Sequence, residues 1–336
     1  MERMQLPGVR ERLWQLAYLL KHTFAVVGRH PGIVRPWVYM AVYAAVMVSV
    51  FFAGIAAIAV DRGGTGTLLL VLAVVLFFYK FFFYNRLEIQ QSWLVAEAVQ
   101  GRSPESTEAR AHARSCRHGY RRLALLDMVF GFVASRRNSN SEKSGLISGL
   151  VTAMLAGLTE VWDLVNHYLL PAIAVDGVGV REGISQMRDL RDRVPESLVG
   201  VFGIDLAARA AGTLVAPLYL LAAVVAVLWG LWIGDGMSAF YAGSLRAALG
   251  DFGAGWLPDG PLHFNWLPAL VAIWLCKGFS AMFERLVTSV KVVYFTVFYM
   301  RITHPGDLDP AVRDELEAYL RLEGNGDSAQ PATEPR

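Results

Sequence analysis

Long uncharged apolar runs alternate along this chain with polar, arginine-bearing stretches, and the lengths of the runs set its architecture. Trp37 to Val60 and Ala210 to Gly234 contain no charged residue. A helix crosses the hydrocarbon core of a bilayer with about 20 apolar residues, so either run suffices for a span. The pattern predicts four full spans, at about 34–60, 65–84, 199–234 and 266–290.

Two of these helices are predicted to outrun the membrane. The second run ends in Tyr79-Lys80-Phe81-Phe82-Phe83-Tyr84-Asn85-Arg86, the aromatic and basic mixture of a membrane exit, and no breaker follows before Val99. From Trp266 to Arg301 no proline occurs after Pro268, so the last helix also continues. Its later apolar face needs cover, for which the extension of the second span around Leu87–Leu94 is the expected partner. A cytoplasmic helical layer over 85–135 and 286–323 follows from these readings.

The remaining segments are shorter. Leu13, Leu16, Leu20 and Phe24 share one side of an interfacial helix that ends at His30-Pro31-Gly32. Ser103-Pro104 reads as a helix start. Leu123 to Ala134 is apolar but too short to cross, and it holds Asp127. Arg136 to Ser144 and residues 235–263 read as polar loops, and 324–336 as a disordered tail. The whole predicts an all-α polytopic helical membrane protein, with one membrane domain over 1–323.

Composition agrees: 54% of the 336 residues are hydrophobic and 18% charged, where soluble domains carry about 25% charged residues. The net charge of +2 offers nothing to nucleic acid. Two cysteines, Cys116 and Cys276, make neither a disulfide framework nor a metal site, and no motif implies a cofactor. Placement of the basic residues is more telling. Residues 1–35 hold six, 80–143 eleven and 176–197 four, while the outer loops 61–66 and 235–263 hold one each. The positive-inside rule then puts both termini in the cytoplasm of a cell-membrane protein. Both flanks of the apolar stretch 144–175 fall on that same side, so it is expected to be a re-entrant hairpin.

Candidate chemistry lies in that stretch. Glu160, Asp163 and His167 follow i, i+3, i+7 spacing and share one helical face. Ionisable groups at membrane depth are costly and mark cavities, ion sites or structural ion pairs. The same face is explained by interfacial water or arginine partners. Arg114, Arg117, Arg121 and Arg122 form a basic face able to meet anionic lipid headgroups, or simply to be solvated. Gly145-x-x-x-Gly149 and Gly230-x-x-x-Gly234 permit close helix approach. Asp176-Gly177-Val178-Gly179 has no preceding strand and is no dinucleotide loop.

The stretch from Trp162 through Pro171 to Arg188, with the Trp14-bearing helix ending at His30-Pro31, resembles multi-pass prokaryotic membrane proteins akin to the membrane domain linked to glycerophosphodiester phosphodiesterases. The resemblance covers about 10–35 and 160–205; the chain departs from it at Ala172, Gly183 and Gln186-Met187. It implies a helical membrane fold and transfers no catalytic residue. The expected function is non-enzymatic: solute or ion transport, channel-like, through a pocket at the re-entrant element. The alternative is an envelope accessory or scaffold protein that organises lipids or partner proteins through its basic face. Expected partners are the lipid bilayer, anionic lipids and further copies of this chain.

Overall fold

The uncharged runs are helical, and helix continues well past several of them. The structure, a computed structural model, describes residues 27–140, 162, 165–189, 194–233, 238–241 and 261–314. In chain order the helices are α1 (Val34–Ala59), α2 (Gly63–Val99), α3 (Ser106–Ser115), α4 (Arg117–Asn140), α5 (165–176), α6 (Val180–Asp189), α7 (Val194–Ile233) and α8 (Leu267–Thr303). Four of them, with 210–233 standing for α7, are long and apolar enough to cross a membrane. The fold is all-α and polytopic, apart from one small antiparallel ladder. In it β1 (Ser238–Tyr241) pairs with β2 (Pro261–Phe264), Ser238 opposite Phe264.

Three boundaries differ from expectation. α4 runs to Asn140 through the segment read as a loop, because Phe132 to Asn140 contains neither proline nor glycine to stop it. α3 begins at Ser106, with extended Glu105 as its cap; the Glu105 carboxylate accepts from the Thr107 hydroxyl at 3.0 Å. The loop 235–263 holds the two strands just named. The predicted tail 324–336 and the interfacial helix before residue 27 lie outside the described residues.

The chain forms two compact units. One contains Ala41–Phe77 and Ala207–Glu284. Its helices turn large apolar side chains outward, Leu220, Leu228 and Trp232 among them, which lipid favours as a solvent. Inside it α1 and α2 approach closely. A Cβ on Gly66 would strike the Ile58 side chain and lie 2.8 Å from the Gly54 carbonyl. Gly230, the first glycine of the predicted small-residue pair, likewise has the Asn265 carbonyl 2.6 Å from where its Cβ would be, and its own carbonyl accepts from Asn265 N at 3.0 Å. Gly145, Gly149 and Gly234 lie outside the described residues.

The other unit contains Met1–Met40, Phe78–Leu206 and Arg285–Arg336. Here the ends of α2 and α8 are buried, and they pack on each other as the sequence predicts. Leu94, Val95 and Val99 share a core with Val293, Val297 and Met300. Ile89 and Val292 meet α5 through Leu169, Leu170 and Ile173. Polar bonds within this core fix the register. Gln91 Nε2 donates to Ser289 Oγ at 2.5 Å. The Ser92 and Thr296 hydroxyls lie 2.8 Å apart, and Ser92 must be the donor because Thr296 spends its proton on the Val292 carbonyl at 2.7 Å. Tyr84 meets Arg285, Gln91 meets Ser289 and Gln100 meets Met300, so the two helices advance together. They run parallel, the sense required of the second and fourth of four spans.

Candidate functional site

Polar residues repeat along the buried part of α2. Asn85, Glu88 and Ser92 stand at i, i+3, i+7 and, with Gln91, are almost wholly enclosed. α8 contributes buried Ser289, Lys291 and Thr296. Toward Thr296 these groups bond to one another, with Gln91 Oε1 left buried and without a partner. Toward Lys80 and Arg285 they open into a pocket of about 310 Å³. Asp127 and Phe130 of α4, Trp162, and Asn166 and His167 of α5 complete its wall. All of it belongs to one compact unit.

Asp127 organises the pocket. Asn85 Nδ2 donates to its Oδ2 at 2.6 Å and Trp162 Nε1 to its Oδ1 at 2.8 Å. The indole is held flat on Phe130, with centroids 4.4 Å apart and planes inclined by 8°. Asn85 Nδ2 also donates to the Phe81 carbonyl at 3.0 Å, which fixes the orientation of the amide. Its Oδ1 is thereby left buried without a partner, and so is Asn166 Oδ1. A buried polar atom left unsatisfied costs about 1–3 kcal/mol, so two in one pocket mark a place built to receive donors. The Arg285 guanidinium lies over the Tyr84 ring at 4.5 Å and the Lys80 ammonium over Phe81 at 4.9 Å.

Of the sequence-predicted face, the structure places His167 at this pocket, buried, with its ring 5.2 Å from that of Phe295. Glu160 and Asp163 lie outside the described residues. Arg114, Arg117, Arg121 and Arg122 are exposed on α3 and α4, and none of them lines the pocket. Sequence reasoning singled out Asp127 only as a charge in a short apolar helix and missed Asn85, Glu88, Asn166 and Lys291. The i, i+3, i+7 signal that flagged 160–167 was equally present on α2.

Two further polar clusters flank α5. Asp176, at its end, accepts from the Tyr299 hydroxyl and meets His304 Nε2 at 2.9 Å, tying α5 to the end of α8. In α3 His112 Nε2 lies 2.6 Å from the Ala174 carbonyl and 3.6 Å from Cys116 Sγ, and its ring stacks on Trp93. Burial pushes the Cys116 thiol up, but the His112 hydrogen bond and charge, with the Ser115 hydroxyl, outweigh it and hold the thiol below its ordinary value. His112 is raised, chiefly by its hydrogen bond to Cys116. A thiolate is the reactive form. Alkylation of Cys116 by N-ethylmaleimide should therefore rise with pH earlier than for an ordinary thiol. His112→Phe leaves burial unopposed by the imidazole and should shift the profile to higher pH, read by mass spectrometry of the Cys116 peptide. An unmoved profile would show that the imidazole does not set the thiol.

Among the described residues no group of three or more histidine, cysteine or acidic side chains is placed to hold a metal. Fold and surface together define an all-α, multi-pass membrane protein. The chain matches no family model, no curated protein and no solved structure.

Proposed function

We propose that this chain is a non-enzymatic membrane transport protein that handles a small polar solute through the Asp127 pocket. The observation that carries this reading is the pair of unpartnered buried carbonyl oxygens, Asn85 Oδ1 and Asn166 Oδ1, in a polar pocket lined by Glu88, Asp127, His167 and Lys291. Such groups persist beside membrane spans where a cavity or bound species offsets their cost. The pocket begins where the apolar runs end: Gly63 to Lys80 and Leu267 to Arg285 each rise about 26 Å, close to the ~30 Å of a hydrocarbon core. In this proposal both termini are cytoplasmic, α5 at the end of the 144–175 stretch lies with Ile89 and Val292 in the layer past the bilayer, and the chain is kin to the membrane domains linked to glycerophosphodiester phosphodiesterases.

Proteoliposomes carrying the full chain test the reading by light scattering in glycine, O-phosphoethanolamine or potassium chloride media. Swelling in at least one medium should be faster than in empty liposomes, and Asn166→Leu should slow it. The exposed Arg114, Arg117, Arg121 and Arg122 favour a second reading, an envelope accessory protein that organises anionic lipid. Arginine-dependent binding to phosphatidylglycerol vesicles without any swelling would decide for that alternative.

A further inference from the structure

We infer that the pocket takes a zwitterion that joins a primary ammonium to a phosphate, the ethanolamine phosphate headgroup of a membrane phospholipid being the occupant. The inference rests on the pocket binding a polar ligand, as proposed above, and adds what that ligand is. Two unpartnered carbonyl oxygens, on Asn85 and Asn166, call for N–H or O–H donors and give an anion nothing to bond. Lys80, Arg285 and Lys291 line the same pocket beside the carboxylates of Glu88 and Asp127, so the wall offers charge of both signs. A ligand that suits both sets of groups carries both charges.

The two ends of that ligand have separate places. The carboxylate of Asp127, bonded to Asn85 Nδ2, puts negative charge beside the Asn85 carbonyl, where an ammonium would donate. Arg285 rests by its face on Tyr84, and a guanidinium stacked by its face keeps its edge for bidentate contact with phosphate oxygens. A volume of about 310 Å³ is at the small end for ligand pockets, of headgroup rather than whole-lipid size.

The surroundings favour a lipid source over a free solute. Phe78, Val129, Phe132 and Leu286, each within two residues of a lining position, are exposed apolar side chains, and the Phe78 and Phe132 rings meet at 5.9 Å. They offer acyl chains a surface next to a polar pocket. The lining residues Lys80 and Arg285 also stand where α2 and α8 complete one bilayer thickness, which is headgroup depth.

The test is native mass spectrometry of the detergent-purified full chain in an equimolar mixture of phosphatidylethanolamine, phosphatidylcholine and phosphatidylglycerol with matched acyl chains. Phosphatidylethanolamine should be retained about tenfold over the others. Phosphatidylcholine has no N–H for the asparagine carbonyls, and phosphatidylglycerol has no cation. Arg285→Gln and Asn166→Leu should each abolish the preference; Asn166 is only partly enclosed, so its variant keeps the test valid if Asn85→Leu does not fold. Displacement of the lipid by equimolar O-phosphoethanolamine would uphold the amino-phosphate chemistry and assign it to a free solute. Resistance to that competitor would uphold the lipid. Equal retention of all three lipids, or a preference untouched by both variants, would overturn the inference. The transport reading would survive that result if swelling still depended on Asn166, and would fall with it if swelling were absent.

Discussion

Gly66→Leu should destabilise the protein by about 1–3 kcal/mol, the range for overpacking a filled contact, and by more if the backbone cannot yield. The first added carbon would strike Ile58, and it would also lie 2.8 Å from the Gly54 carbonyl and 3.0 Å from Ile58 N. Backbone atoms cannot swing aside as side chains do. The helices cannot separate either, because a turn at Val60–Arg62, with Asp61 at a φ of 59°, ties α1 to α2 directly below the crossing. Gly64 supplies the contrast. Nothing lies within 4 Å of its would-be Cβ, so Gly64→Ala should leave stability unchanged or raise it by up to about 1 kcal/mol through helix propensity. Thermal melts of the two variants in one detergent decide the matter. Equal melting temperatures would mean that the crossing is not tight.

Asp127→Leu should be the most damaging change in the pocket. It leaves the Trp162 indole N–H without its acceptor and removes one of the two acceptors of Asn85 Nδ2, which keeps the Phe81 carbonyl. An orphaned buried donor costs about 1–3 kcal/mol, most of it falling here on the indole. Asp127→Asn keeps the shape and one acceptor, so it should lose less; its new amide N–H₂ must face one of the two donors. Denaturant unfolding should rank wild type above Asp127→Asn and Asp127→Asn above Asp127→Leu. Near-ultraviolet circular dichroism should show the Phe130–Trp162 stack loosening in the same order. A leucine variant as stable as wild type would mean that Asp127 is a tolerated charge and not the organiser of the pocket.

The long helices were legible because their signals are local. Uncharged runs, the aromatic-basic exit at Tyr79–Arg86 and the lack of breakers to Val99 led to α2 as a single helix, and the same logic to α8. Their mutual packing was legible because an apolar face beyond the bilayer has to be covered. The pocket was not, because its bonds join distant residues: Asn85 with Asp127 across 42 positions, Trp162 with Asp127 across 35. α5 shows a different limit. Tyr168, Leu169, Leu170, Ala172, Ile173 and Ala174 are all buried inside one unit, and a helix apolar on every side reads the same whether lipid or protein surrounds it. At α4 the polar composition of Arg136–Asn140 suggested a loop, yet polarity alone stops no helix.

The parallel course of α2 and α8 has an electrical consequence. Each helix carries a dipole equivalent to about half a positive charge at its start and half a negative charge at its end. Antiparallel neighbours would cancel these fields; parallel ones add them. The ends near Val99 and Thr303 therefore form a shared negative pole. Charged groups of both signs gather there: Arg301 stands in the last turn of α8, Arg102 pairs with Glu97 at 2.8 Å, and His304 meets Asp176 at 2.9 Å. Backbone closes part of the pole as well, since the Val99 carbonyl accepts from Asp309 N at 3.0 Å. The shared pole at Val99 and Thr303 is thus set by backbone geometry alone, independently of the net charge of the chain.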